Sequence, residues 1–132
     1  MAPIKESQIE AAILDYLNSL KDGFFWKNPS SGFFDGKVMR KHSSKYAING
    51  ASDVIGVFRG RFCAFEVKTP KEYQYYLNHG ERLRAAPFIY CRTKKDERFW
   101  KQLSFIEKIK RKGGLGDIVA SIDHVKRILQ EA

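Results

Sequence analysis

The stretch Gly50–Pro70, GASDVIGVFRGRFCAFEVKTP, decides how the chain folds. It reads as two strands, Ser52–Phe58 and Arg61–Lys68, joined at Arg59-Gly60, where glycine suits the positive φ of a tight hairpin turn. Thr69-Pro70 ends the second strand, since proline cannot extend a central ladder. Side chains alternate across a strand, so Cys63, Phe65 and Val67 share one face, and Phe62, Ala64, Glu66 and Lys68 share the other. Pairing through the Arg59-Gly60 turn sets Asp53 opposite Glu66, with facing Cβ atoms roughly 4.5–5.5 Å apart. Two carboxylates so close repel unless positive charge lies between them. Lys68 is one source of that charge, and a hard divalent cation bound by both acids is another. Glu66 and Lys68 by themselves also fit a plain salt bridge at a strand end, because Glu-x-Lys is a common tripeptide.

Outward from this hairpin, Ser7–Lys21 has apolar residues at helical spacing: Ile9, Ile13, Tyr16, Leu17 and Leu20. Ser7 and Glu10 fit a capping box there, and Asp22-Gly23 stops the helix. Phe24–Lys27 reads as a short strand. Asn28–Gly50 reads as a long loop or loose hairpin, of the kind that is usually functional or mobile. Beyond the central hairpin, Lys71–Ala86 reads as a short helix and loop, and Pro87–Arg92 as a weak strand. Phe99–Lys112 is a helix with its stripe at Phe99, Leu103, Ile106 and Ile109, stopped by Gly113-Gly114. Asp117–Ala120 is a last strand, and Ser121 or Asp123 caps a final helix. The fold class expected is α/β, a mixed central sheet flanked by helices, in one domain over residues 1–132.

Composition points to an anionic partner. Lys and Arg number 24 against 15 Asp and Glu, a formal net charge of +9 over 132 residues, and nucleic acid is the simplest polyanion to balance it. Lys37, Arg40, Lys41 and Lys45 in the long loop, and Lys108, Lys110, Arg111 and Lys112 at a helix end, are candidate phosphate contacts. Ser52 is another, or else a turn residue. No apolar run is long enough to span a membrane and the N-terminus has no secretory pattern, so a cytoplasmic location is expected. Cys63 and Cys91 sit in apolar runs and read as buried free thiols. His42, His79 and His124 lack metal-ligand spacing and read as surface or capping residues.

Asp53 followed by Glu66-x-Lys68 at a strand end resembles the PD-(D/E)xK nuclease superfamily, and within it the VRR-NUC family. The resemblance extends over most of the chain. It takes in Glu10 on the first helix, the Gly50–Pro70 block, QLSFIEKIKRKGG led by Gln102, and GDIVASIDHVKRIL. It implies a restriction-endonuclease-like core and metal-dependent hydrolysis of DNA phosphodiester bonds. Asp53, Glu66 and the Val67 carbonyl would bind Mg²⁺ or Mn²⁺, and Lys68 would position and activate water. Gln102 would reach the site and Glu10 would complete it. Stand-alone members resemble Holliday-junction resolvases, which implies branched DNA, a homodimer, and a phage or bacterial source. The chain departs from the family pattern in the spacing between Lys68 and Gln102, an insertion at about residues 71–98 that leaves Gln74 nearer. Read without the resemblance, Glu10 is the capping-box residue of its helix and Gln102 a polar residue at the edge of a helical stripe. The rival readings are a restriction-type nuclease and a non-catalytic DNA-binding module on the same fold.

Overall fold

A computed structural model describes residues 3–29, 51–85, 88 and 91–132, together with the backbone of 33–34 and 39–40. The first helix, α1 (Glu6–Ser19), turns Ile9, Ile13 and Leu17 inward. Its cap differs from expectation. Lys5 is the N-cap and its N–H donates to Gln8 Oε1 at 2.9 Å, so Ser7 lies inside the first turn and Glu10 has no capping role. The sequence pattern pointed to Ser7 because a lysine N-cap has no side-chain acceptor for a backbone N–H, and only the Gln8 half of a box forms here.

Strand β1 (Gly23–Lys27) returns beside α1. The Asn18 side chain holds it there, donating to the Phe25 carbonyl at 3.1 Å and accepting from the Phe25 N–H at 3.0 Å. Within the long loop, β2 (Phe33–Phe34) and β3 (Met39–Arg40) pair antiparallel. Strands β4 (Val54–Phe58) and β5 (Arg61–Val67) form the expected hairpin, Val54 facing Phe65 and Phe58 facing Arg61. Arg59 at φ 50° and Gly60 at φ 78° make the turn, both left-handed as a two-residue hairpin of matching twist requires.

Helices α2 (Pro70–Ala85) and α3 (Lys94–Arg111) carry the chain to β6 (Leu115–Val119), which runs parallel to β5, and α4 (Ile122–Leu129) ends the fold. The main sheet has the order β1-β4-β5-β6, antiparallel except for the last pair. The fold is therefore α/β with a mixed four-stranded sheet.

Two expectations for the 70–98 region need correcting. It contains one continuous helix of 16 residues, and it opens with Pro70 at the first position and the Thr69 hydroxyl accepting the Glu72 N–H. Its buried stripe is Tyr76, Gly80 and Leu83, too polar and too small to read as helical periodicity. The strand expected at Pro87–Arg92 is not present at its described residues. Phe88 and Cys91 instead close a turn, Cys91 N–H to Phe88 O at 3.0 Å, and Phe88 meets Trp100 edge-on. Helix α3 begins five residues before its expected start, capped by Thr93, whose side chain accepts from the Asp96 N–H. Its first turn is polar because Asp96, buried there, binds Tyr75 and Arg82.

The sheet separates two cores. On one face Phe25, Cys63, Phe65 and Val67 pack with Ile9, Ile13 and Leu17 of α1 and Val125 of α4. On the other, Ile118 packs with Tyr76 and Leu83 of α2 and Phe99, Leu103 and Ile106 of α3. The alternation read from the sequence for β5 thus divides the right residues, and its C-terminal half is buried on both faces. The edge strand β6 is protected: Asp117 Oδ1 takes its neighbour's Ile118 N–H at 2.7 Å and also the Tyr76 hydroxyl at 2.8 Å. Cys63 is buried, its thiol pushed up to about 11 by that burial, whereas Cys91 is only half-buried; both are free.

The Asn18 clamp has a measurable consequence. Asn18→Ala removes both hydrogen bonds between α1 and β1 and should cost about 2 kcal/mol. A urea midpoint equal to that of the wild type would show that the α1–β1 contact rests on apolar packing alone.

Candidate active site

At the C-terminal end of β5 the chain gathers its buried polar groups. The β1–β4 pairing continues one step past the strands, with the Asn28 N–H on the Asp53 carbonyl at 2.6 Å, and the β4–β5 register then sets Asp53 across from Glu66. Asp53 Oδ2 accepts the Val67 N–H at 3.1 Å, which fixes its carboxylate against β5. Glu66 is 3% exposed and Lys68 5% exposed, with Lys68 Nζ 3.8 Å from Glu66 Oε1. The Lys68 ammonium also lies 4.9 Å over the Phe99 ring, a cation–π contact that holds it while leaving its protons free for other partners.

Gln102 meets this group from α3. It is buried, and its Nε2 donates to Glu66 Oε1 at 2.8 Å. Gln74, the nearer alternative in sequence, is exposed and binds Asn78 on its own helix. The intervening residues include α2 and the first two turns of α3, and α2 packs against α3, so they do not carry Gln102 away from the sheet.

Burial pushes the Glu66 carboxyl well above the usual carboxylate range, and the neighbouring Asp53 charge adds to this while Lys68 opposes it. Glu66 Oε2 and Gln102 Oε1 are both buried without a hydrogen-bond partner. Orphaned acceptors of this kind cost free energy unless something positive or protic meets them.

Glu10, from α1, is buried but paired with Lys27 at 3.2 Å. Sequence reading missed Glu6 and Glu72. Partial burial raises the Glu6 carboxyl, the Lys68 charge pulls it down, and Asp53, Glu10 and Glu72 push it up, which places these four groups within electrostatic reach of Glu6. Glu6 lies one helical turn before Glu10, a spacing that puts both on one side of α1. Glu72, in the first turn of α2, pairs through Oε1 with Lys95 at 3.7 Å and has its Oε2 buried without a partner.

No group of three or more His, Cys, Asp or Glu side chains among the described residues is already arranged to hold a metal ion. The donor set nevertheless fits a small hard cation. Mg²⁺ takes oxygen ligands, keeps several waters and needs only one or two carboxylates. Asp53 and the unpartnered Glu66 Oε2 are such donors, and the Val67 carbonyl stands beside them in the chain.

The other expected contacts divide. Ser52 is fully buried and its hydroxyl has no partner, so the phosphate contact expected of it is closed in this conformation. Lys37, Lys41 and Lys45 lie outside the described residues, as do His42 and the side chain of Arg40. Lys108, Arg111 and Lys112 are exposed and line an open groove along α3, while Lys110 lies 3.9 Å from Glu107. His124 is structural: its Nδ1 accepts the Ala120 N–H at 2.9 Å and its ring stacks on Tyr73. Ser121 caps α4, as one of the two expected alternatives.

The chain matches no protein-family model, and no curated protein matches it. No helix among the described residues is long and apolar enough to cross a membrane.

The raised Glu66 carboxyl makes stability depend on pH with a definite sign. The folded state holds this proton more tightly than the unfolded chain, so stability without divalent cations should fall as pH rises above the usual carboxylate range. Glu66→Gln keeps the Gln102 hydrogen bond, removes the buried charge and should stabilise the protein in EDTA by about 1–3 kcal/mol at pH 8. Thermal melts from pH 5 to pH 8 would test this. A wild-type curve as flat as the variant's would mean that Glu66 is compensated by its neighbours.

Proposed function

We propose that the protein is a divalent-metal-dependent endonuclease that hydrolyses DNA phosphodiester bonds, with a PD-(D/E)xK type of core. One observation carries the reading: a buried carboxylate, Glu66, faces Asp53 at a strand end, touched by the Lys68 ammonium at 3.8 Å and the Gln102 amide at 2.8 Å. Such a cluster is costly to fold and is expected where chemistry needs it.

Asp53, Glu66 and the Val67 carbonyl would hold Mg²⁺ or Mn²⁺. When bound, the ion supplies charge against the phosphate oxygens and lowers the pKa of a coordinated water. The remaining roles belong to the chain. The Val67 N–H orients Asp53. Gln102 occupies Glu66 Oε1 and so leaves Oε2 as the free donor. Lys68, fixed over Phe99, presents its ammonium where charge grows on the scissile phosphate and where an attacking water must be aligned. Glu10 and Glu6 supply further carboxylates at the α1 side, either of which can order a second water or ion.

Branched DNA is the proposed substrate and a homodimer the proposed working form, since two symmetric cuts need two sites related by a two-fold axis. The net charge of +9 and the exposed Lys108, Arg111 and Lys112 support attraction of such a polyanion.

The test is cleavage of a labelled four-way junction and its matched linear duplex in Mg²⁺, Mn²⁺ or EDTA. Wild type should cut the junction only with metal, and Lys68→Ala should lose about 10²–10³-fold in rate. Asp53→Ala and Glu66→Ala should lose at least as much. Gln102→Ala should lose less, because it acts through Glu66. Binding of the junction without cutting in either metal would replace this reading with a non-catalytic DNA-binding module.

A further inference from the structure

The face of the sheet that carries Asp53 and Glu66 is only partly covered. Helices α2 and α3 pack over its β5–β6 side through Ile118. Over β1 and β4 no described helix packs on this face, and its side chains are aromatic and exposed. Its rows follow from the register: Phe24 pairs with Val57 and Val57 with Phe62, then Trp26 pairs with Ile55 and Ile55 with Ala64. The next row in that direction is Asn28, Asp53 and Glu66. Phe24 is 69% exposed, Trp26 41%, Val57 40% and Phe62 37%. The Phe24 and Trp26 rings lie 5.5 Å apart, so they form one patch.

An apolar strip of this size on a single sheet calls for an occupant. Its surroundings indicate which. One end of the strip is the acid cluster at Asp53 and Glu66. The other end, at Phe62, abuts the basic C-terminus of α3. There Arg61 Nε donates to the Gly113 carbonyl at 2.9 Å, and a side chain added at Gly114 would lie 2.7 Å from the Phe62 carbonyl. Lys108, Arg111 and Lys112 are exposed on that helix end. Four residues separate the two ends along β5, about 13 Å at strand rise.

We propose that this aromatic strip binds unpaired bases of a nucleic-acid strand, which stack on Trp26 and Phe24 while the strand's backbone runs from the basic end of α3 to the Asp53–Glu66 site. Every base has a π-face, so stacking on exposed rings of a sheet accepts any sequence, and a basic border tracks the phosphates. Exposed rings on a four-stranded sheet can stack two or three bases where one ring serves each base. The strip adds a substrate class to the nuclease reading and rests on it only for what happens after binding. The enzyme would favour DNA with single-stranded character next to the cut, such as an opened junction or a flap, over continuous duplex, whose bases are shielded.

Binding is measured in EDTA by anisotropy of a labelled oligothymidylate and of a blunt duplex. Phe24→Ser with Trp26→Ser should weaken oligothymidylate binding roughly tenfold or more and leave the duplex within about twofold. Both side chains are exposed, so the fold should survive; Trp26→Phe, which keeps a ring, should bind like the wild type. Equal oligothymidylate affinity in wild type and the double serine variant would overturn the proposal. So would a wild-type dimer that the double variant converts to monomer with oligothymidylate affinity unchanged, since that result assigns the strip to a second copy of the chain. The two readings stay apart because binding is read in EDTA: a loss of oligothymidylate affinity in the double serine variant judges the strip alone, and metal-dependent cutting of the four-way junction by the wild type judges the nuclease site alone.

Discussion

Which side chains share a face of the sheet depends on the register set at Arg59 and Gly60. Both residues take left-handed backbone conformations, and the two-residue turn they form allows one pairing of β4 with β5. A slip by one residue would send Cys63, Phe65 and Val67 to the α2–α3 side and bring Glu66 under α1. The correct register instead buries both sets of apolar side chains and, as a by-product, brings Asp53 up to Glu66. The carboxylate pair is therefore held by the same constraint that holds the core.

That pair is paid for by its surroundings in an uneven way. Glu10 has Lys27, Glu72 has Lys95 and Glu66 has Lys68. Lys27 is 64% exposed and Lys95 36%, and such pairs contribute little because water screens them and the side chains remain free to move. Lys68 is buried, so its charge acts through a low-dielectric medium. Yet it faces Glu66 at 3.8 Å, longer than a good hydrogen bond, and Glu66 keeps an oxygen with no partner. The cluster is short of positive charge, and that shortage is the physical basis for expecting a cation between Asp53 and Glu66.

Much of this was legible because it is local. A two-residue turn fixes pairing by counting, so Asp53 opposite Glu66 followed from Arg59-Gly60, and alternation placed Phe65 and Glu66 on opposite faces. Gln102 needed more: the family resemblance pointed to it, although the long insertion favoured Gln74. What was not legible depends on how elements rotate against one another. Glu6 comes within electrostatic reach of Lys68 only through the packing of α1 on the sheet, and no spacing within the helix signals that. Helix α2 escaped because its stripe is built of tyrosines and a glycine; Gly80 is required there, since a Cβ would lie 2.7 Å from the Tyr76 ring. The cap of α1 was misplaced because Ser7 and Glu10 fit the box pattern while the N-cap used is Lys5, which does not; Gln8 takes the Lys5 N–H and leaves Glu10 free to face Lys27.

The distribution of charge follows the same logic. A chain with a net charge of +9 nevertheless gathers Glu6, Glu10, Asp53, Glu66 and Glu72 at one end of its sheet. A polyanion drawn in by the basic surface would be repelled at that end unless the local sign were reversed. Lys68 reverses it in part. The rest comes from protons at low pH and would come from a cation at higher pH, because burial and the Asp53 charge hold the Glu66 carboxyl well above its usual range and leave its ionised form poorly compensated. Attraction over the whole surface and repulsion at one point are then compatible, and on the proposed reading the second would make the first conditional: phosphate would approach Asp53 and Glu66 closely only once the missing positive charge had arrived.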